Sequence, residues 1–134
     1  MEFFRKKKQA EEAPLGTTTS KQVGDAAEDL ALRHLQAAGL RLLERNYRTP
    51  GRGGGEIDLV MRDRDGTLVF VEVRKRASRT FGGAGGSVSH TKQRRIILAA
   101  NHYLMRLATP PPCRFDVVLV EDAITWLKAA FDAS

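Results

Sequence analysis

The chain has 134 residues, 42% of them hydrophobic, and its 22 Lys and Arg against 16 Asp and Glu give a formal net charge of +6. That length fits one domain with a real core, and the basic balance favours an anionic partner such as nucleic acid. A single cysteine, Cys113, excludes an intramolecular disulfide and a cysteine-cluster zinc site, while the charged start, MEFFRKKKQAEEAP, lacks an apolar run suited to a signal peptide or membrane span. A cytoplasmic protein with no membrane partner is the expectation.

Residues 1–19 mix a basic run, Arg5 to Lys8, with three Glu, a Pro and three Thr without periodicity, and read as a disordered basic tail. Residues 20–134 then form one domain. Ser20 can cap a helix running to about Ala38, with Val23, Ala27, Leu30, Ala31, Leu35 and Ala38 as its apolar stripe and Gly39 as its stop. Glu28 stands at the margin of that stripe, where a carboxylate is either the wet edge of a helix or an oxygen leaning over the sheet. Leu40 to Tyr47 reads as a strand. Thr49 to Gly55, TPGRGGG, breaks regular structure with four glycines and Arg52, and lacks the spacing of a P-loop.

Glu56 to Arg76, EIDLVMRDRDGTLVFVEVRKR, reads as a β-hairpin. Two β-branched runs, Glu56 to Arg62 and Leu68 to Arg74, flank a loop with Asp and Gly suited to a tight reversal. A five-residue loop sets Arg62 opposite Leu68, Val60 opposite Phe70, Asp58 opposite Glu72 and Glu56 opposite Arg74. Glu56, Asp58, Glu72 and Arg74 then share one face, with Ile57, Leu59, Val71 and Val73 pointing into a core. Two carboxylates roughly 5 Å apart repel by about 3 kcal/mol at an effective dielectric near 20. Either a divalent cation or an arginine, Arg62, Arg74 or Arg76, can compensate them.

Beyond the hairpin, Arg79 leads into the flexible FGGAGGSVS, Phe81 to Ser89. Thr91 can cap a helix from Lys92 to about Leu107, buried along Ile96, Ile97, Ala99, Ala100, Tyr103, Leu104 and Leu107. Its first turn carries Lys92, Gln93, Arg94 and Arg95; cations there oppose the macrodipole and point to another use, with phosphate binding the natural one. Pro110 to Pro112 end that helix. Arg114 to Val120 is an apolar and therefore interior strand in which Asp116 ranks as structural, and Ile124 to Leu127 adds a short strand. The sum is a small α/β sheet covered by two helices. His34, His90 and His102 show no metal spacing.

At Gly55-Glu56-Ile57-Asp58-Leu59-Val60, Val69-Phe70-Val71-Glu72-Val73-Arg74, Lys92-Gln93 and Arg114-Phe115-Asp116-Val117-Val118 the chain resembles the bacterial YraN family. That family is itself similar to archaeal Holliday-junction resolvases and to PD-(D/E)xK nucleases. The resemblance covers roughly Gly24 to Phe131. It implies a restriction-endonuclease-like fold, a small mixed sheet with a central β-hairpin flanked by two main helices. It further implies a metal-dependent endonuclease acting on DNA, branched or damaged DNA included, with Mg²⁺ or Mn²⁺ as cofactor. Asp58 and Glu72 match the metal-binding and catalytic carboxylates, Glu28 the helical acid that assists them, and Gln93 a polar residue near the site. Arg74 stands where the family has a lysine. An arginine supplies charge to a phosphate but cannot serve as a base. Lys92 is the more credible substitute if it reaches the cluster.

Arg52, Arg76, Arg79, Lys92, Arg94 and Arg95 are the expected contacts to the nucleic-acid backbone. The alternative reading is a module that keeps the fold and binds nucleic acid without turnover, the lysine having been replaced by Arg74. A third is an unrelated α/β interaction protein whose surface charges are merely paired. Symmetric cleavage of a junction would require two sites and hence a homodimer, for which no face is legible.

Overall fold

Val60, Leu68 and Phe70 project from one face of a sheet and Leu59, Met61, Val69 and Val71 from the other, and both sets are fully buried. A strand buried on both faces needs a layer on each side, and the chain supplies one helix to each. The computed structural model describes residues 20–75 and 88–133. The expected basic tail, the glycine-rich stretch 81–87, and Arg76 and Arg79 lie outside the described residues.

In chain order the elements are α1 (Ser20–Ala37), β1 (Arg41–Arg48), β2 (Glu56–Arg62), β3 (Leu68–Lys75), α2 (His90–Leu104), β4 (Cys113–Val120) and β5 (Ile124–Phe131). The five strands lie side by side in chain order. Neighbours pair antiparallel except β3 and β4, which run parallel and are joined by the α2 crossover. This is the small mixed α/β architecture expected of a restriction-endonuclease-like fold.

On one face Ala27, Ala31 and Leu35 of α1 pack against Leu59, Met61, Val69, Val71, Val118 and Val120. On the other, Ile96, Ala99, Ala100 and Tyr103 of α2 cover Val60, Phe70, Phe115, Val117 and Leu119. Leu30, placed in the α1 stripe by spacing, is 43% exposed, because Ala27, Ala31 and Leu35 already fill the narrow contact. Helix α2 begins before Thr91: Ser89 is its N-cap, its hydroxyl accepting the Lys92 N–H at 3.1 Å. Strand β5 runs beyond Leu127 to Phe131 and carries a left-handed residue, Ala129 at φ 51°, opposite a register shift between Phe115 and Val117.

The hairpin register is as expected from Arg62↔Leu68 to Leu59↔Val71, where the ladder ends. Asp58 and Glu72 are not ladder partners, nor are Glu56 and Arg74. The reason is a local change of face. Ile57 packs on the α2 side and Leu59 on the α1 side although they are two residues apart, so Ile57 does not join the core shared by Leu59 and Val71. Strand β1 does the same beside it. Tyr47 lies on the α2 side, Arg45 reaches acids of α1, and Asn46 between them takes a left-handed φ of 53°. At this flip β2 peels away from β3.

Candidate active site

The flip draws the Asp58 side chain into the space the ladder leaves. Its Oδ2 accepts the Val73 N–H at 2.8 Å, so the carboxylate takes over a hydrogen bond that strand pairing would otherwise make. Asp58 therefore meets Glu72 without standing opposite it in register. Both are buried, at 9% and 6% exposure.

Burial, then the Asp58 charge, pushes Glu72 up to about 8; Lys92 opposes this, and Arg74 more weakly. Asp58 is raised as well, by burial first, with the Val73 N–H and Lys92 pulling the other way. Two acids this close and this dry hold one proton between them more readily than two negative charges. Oε1 of Glu72 is buried with no donor aimed at it. Its neighbour is another acid, and only a shared proton or a cation satisfies both.

Lys92 supplies the nearest positive charge. Its Nζ reaches over from the first turn of α2 to stand 3.5 Å from Oε2 of Glu72. The Ser89 cap fixes that turn, and the absence of any acid in it leaves the ammonium directed at the sheet rather than paired along the helix. Arg74 lies two residues beyond Glu72 on β3, beside Leu119 of β4.

Glu28 leans toward the pair from α1. Its carboxyl is raised by burial and next by Asp58, while Arg45 restrains it through a contact of 3.5 Å. Arg45 also holds Asp29 at 2.9 Å and so anchors the acidic edge of α1 to β1. Sequence reasoning missed Arg45: strand alternation sets it on the face of Tyr47, and the left-handed Asn46 between them turns it to α1 instead. Gln93, by contrast, spends its side-chain amide on the Val88 carbonyl at 2.9 Å, tying the start of α2 to the chain before it.

The glycine loop between β1 and β2 is stapled at its base. Thr49 Oγ1 accepts the Gly55 N–H at 2.7 Å, and the Thr49 N–H donates to the Gly55 carbonyl at 3.1 Å. A side chain on Gly55 would run into the Arg95 carbonyl and the Ala99 N–H, so glycine is required for α2 to lie this close. Arg95 Nε donates to the Gly54 carbonyl at 3.2 Å. Glu56 pairs across to Arg48 of β1 at 3.5 Å rather than with Arg74. Arg52 and Arg94 are exposed nearby in sequence to these groups.

Asp116 is fully buried and belongs elsewhere. It accepts from Arg114 Nε, Trp126 Nε1 and the Ala129 N–H at 2.9–3.2 Å, and Arg114 also reaches Asp63 at 3.0 Å. This knot pins β5 and the β2–β3 turn to β4, in keeping with its structural ranking. His102 serves packing, its Nδ1 2.6 Å from the Tyr47 hydroxyl. Among the described residues no group of three or more His, Cys, Asp or Glu is disposed to hold a metal ion, and no helix is long and apolar enough to cross a membrane.

Comparison with known proteins identifies the family of the chain. A "UPF0102 protein" of Paracidovorax citrulli (strain AAC00-1) is 72% identical over 117 residues, 87% of each chain. One of Albidiferax ferrireducens is 74% identical over 116 residues, 86% of this chain and 91% of its own. One of Acidovorax sp. (strain JS42) is 63% identical over 132 residues and 98% of both chains. Residues 27–120, from α1 to the end of β4, match the family described as Uncharacterised protein family UPF0102. The chain belongs to that family, the YraN family of the sequence resemblance.

Proposed function

We propose that the protein is a metal-dependent endonuclease that hydrolyses DNA phosphodiesters, with Asp58 and Glu72 holding Mg²⁺ or Mn²⁺. The observation that carries this reading is the buried Asp58–Glu72 pair, in which Oε1 of Glu72 has no donor. Burying two acids together is costly unless something positive joins them. Two carboxylates suit Mg²⁺, which commonly takes one or two from the protein and fills its shell with water and substrate phosphate oxygens. The lack of a third acidic ligand among the described residues is compatible with that pattern. When bound, such an ion polarises a phosphodiester and acidifies a coordinated water.

The chain's own residues do the rest. Asp58 is held by the Val73 amide and Glu72 by the rigid β3–β4 pairing, so both oxygens are presented without reorganisation. Lys92 stands where its ammonium can donate to a non-bridging phosphate oxygen, and its charge opposes the rise that burial and Asp58 impose on Glu72. It thereby provides from a helix the positive charge that the resemblance expects from a lysine in the place of Arg74. Arg74 adds a fixed charge on the same strand, and Glu28, restrained by Arg45, adds negative charge behind Asp58.

Incubating the protein with labelled four-way junction, flap, single-stranded and duplex DNA in Mg²⁺, Mn²⁺ or EDTA tests the reading. Metal-dependent cleavage that disappears in Asp58→Ala is the expected result. Tight binding without cleavage under every metal would favour the second reading, a nucleic-acid-binding module, which the arginine at position 74 supports. Unaltered cleavage by Asp58→Ala would sink the assignment of the site.

A further inference from the structure

Beside the acidic pair, the β1–β2 loop and the first turns of α2 enclose a cleft of about 200 Å³, lined by Arg48, Thr49, Gly53, Gly54, Glu56 and Arg95. Its floor is glycine backbone, which lets a ligand approach the main chain as no side-chain-bearing residue would. Its two walls are arginines from different elements. Arg95 is set by its Nε on the Gly54 carbonyl, which leaves the outer nitrogens of the fork for a ligand. Arg48 is 70% exposed, and its one ion pair among the described residues is with Glu56, at 3.5 Å. Glu56, two residues before Asp58 on β2, also lies within its electrostatic reach, so the cleft neighbours the acidic pair along that strand.

We propose that this cleft is a subsite for one backbone phosphate of the nucleic acid, gripped jointly by Arg48 and Arg95, next to the phosphate presented to Asp58 and Glu72. A planar guanidinium pair on a side-chain-free floor matches a phosphate oxygen set and is too open and too cationic for a metal ion. Glu56 holds Arg48 when no strand is present and yields it to the stronger phosphate partner. The subsite registers the strand relative to the acids without reading bases. It rests on the nucleic-acid part of the proposed function and not on turnover.

The test is duplex binding in EDTA across a salt series, with Arg48→Ala, Arg95→Ala, the double variant, Glu56→Gln, and Arg33→Ala on the exposed side of α1 as a charge control. Melting curves establish that each variant is folded. If both arginines serve one phosphate, the double variant loses roughly tenfold to a hundredfold in affinity, and its salt slope falls by only about 0.9. Glu56→Gln binds more tightly, and Arg33→Ala changes little. A slope loss of about 1.8 would mean two separate phosphates. That result, unchanged binding by the double variant, or failure of the unaltered protein to bind DNA overturns the subsite. Absence of cleavage of every DNA substrate in Mg²⁺ and Mn²⁺, alongside the expected binding pattern in EDTA, would overturn the nuclease reading and leave the subsite standing.

Discussion

Lys92 Nζ stands 3.5 Å from Oε2 of Glu72, joining the first turn of one helix to the middle of a buried strand. The two residues are on consecutive elements of a parallel crossover, and the cation enters from the helix layer rather than from the strand that carries the acid. Lys92→Ala removes the nearest counter-charge from a site already short of donors. Its side chain is a third exposed, so folding stability should fall by no more than about 1 kcal/mol. Cleavage should fall by about 10²–10³, the scale of a lost electrostatic contact in a transition state. Single-turnover cleavage by Lys92→Ala and by Lys92→Ala/Arg74→Lys checks this, with partial recovery expected in the second.

Stability should decline as pH rises. The ordinary value of the Glu72 carboxyl is 4.5 and the folded site raises it to about 8. Between those values the unfolded chain has lost the proton and the folded chain retains it, so unfolding releases a proton. The slope is on the order of 1 kcal/mol per pH unit and flattens above about pH 8. Urea unfolding in EDTA from pH 5 to 9 measures it. Glu72→Gln should be nearly flat across that window, and an equal slope in the variant would assign the titration elsewhere.

On the proposed function, metal and proton compete for the same oxygens, so a divalent ion should stabilise the fold more at pH 8.5 than at pH 6. At a concentration a hundred times its dissociation constant the gain is about 2.7 kcal/mol. Thermal melts with Mn²⁺ and Mg²⁺ read this directly, and the shift should vanish in Asp58→Ala.

Gly55→Ala should loosen α2 from the sheet. The added carbon meets backbone of Arg95 and Ala99, which cannot turn aside as a side chain can. A loss of about 1–3 kcal/mol in urea unfolding is expected, the range for overpacking a tight contact.

Asp116→Ala separates the structural acid from the site acids. It strips the Arg114, Trp126 and Ala129 donors of their buried acceptor, at a cost of about 3–5 kcal/mol. The folded fraction should retain the metal-induced melting shift, since Asp116 faces β5 and not Glu72.

Much of the fold was legible because its signals are local. The hairpin loop, Asp63 to Thr67, closes through the Asp63 N–H to the Thr67 carbonyl at 2.9 Å, as its Asp and Gly suggest. The α2 stripe of Ile96, Ala99, Ala100 and Tyr103 follows helical spacing into the core. Alternation failed at Asp58 because both β1 and β2 change face there, and a left-handed Asn46 is one residue among many in sequence. The contacts of Arg48 and Arg45 were not legible, and the reach of Lys92 to Glu72 stood only as a condition, since each joins side chains of different elements whose packing no local signal fixes.

Composition, the strand and helix periods and the spacing of Asp58 and Glu72 determined by themselves that this is a small α/β domain with two acids on its central hairpin. Only the tertiary structure decided what those acids meet. The flip at Asn46 and Asp58 set the depth of the pair, the Ser89 cap and the crossover brought Lys92 to Glu72, and the absence of a side chain on Gly55 brought Arg95 beside the glycine loop. The physical reason is that secondary structure answers to near neighbours along the chain. Charge, desolvation and close packing answer to neighbours in space.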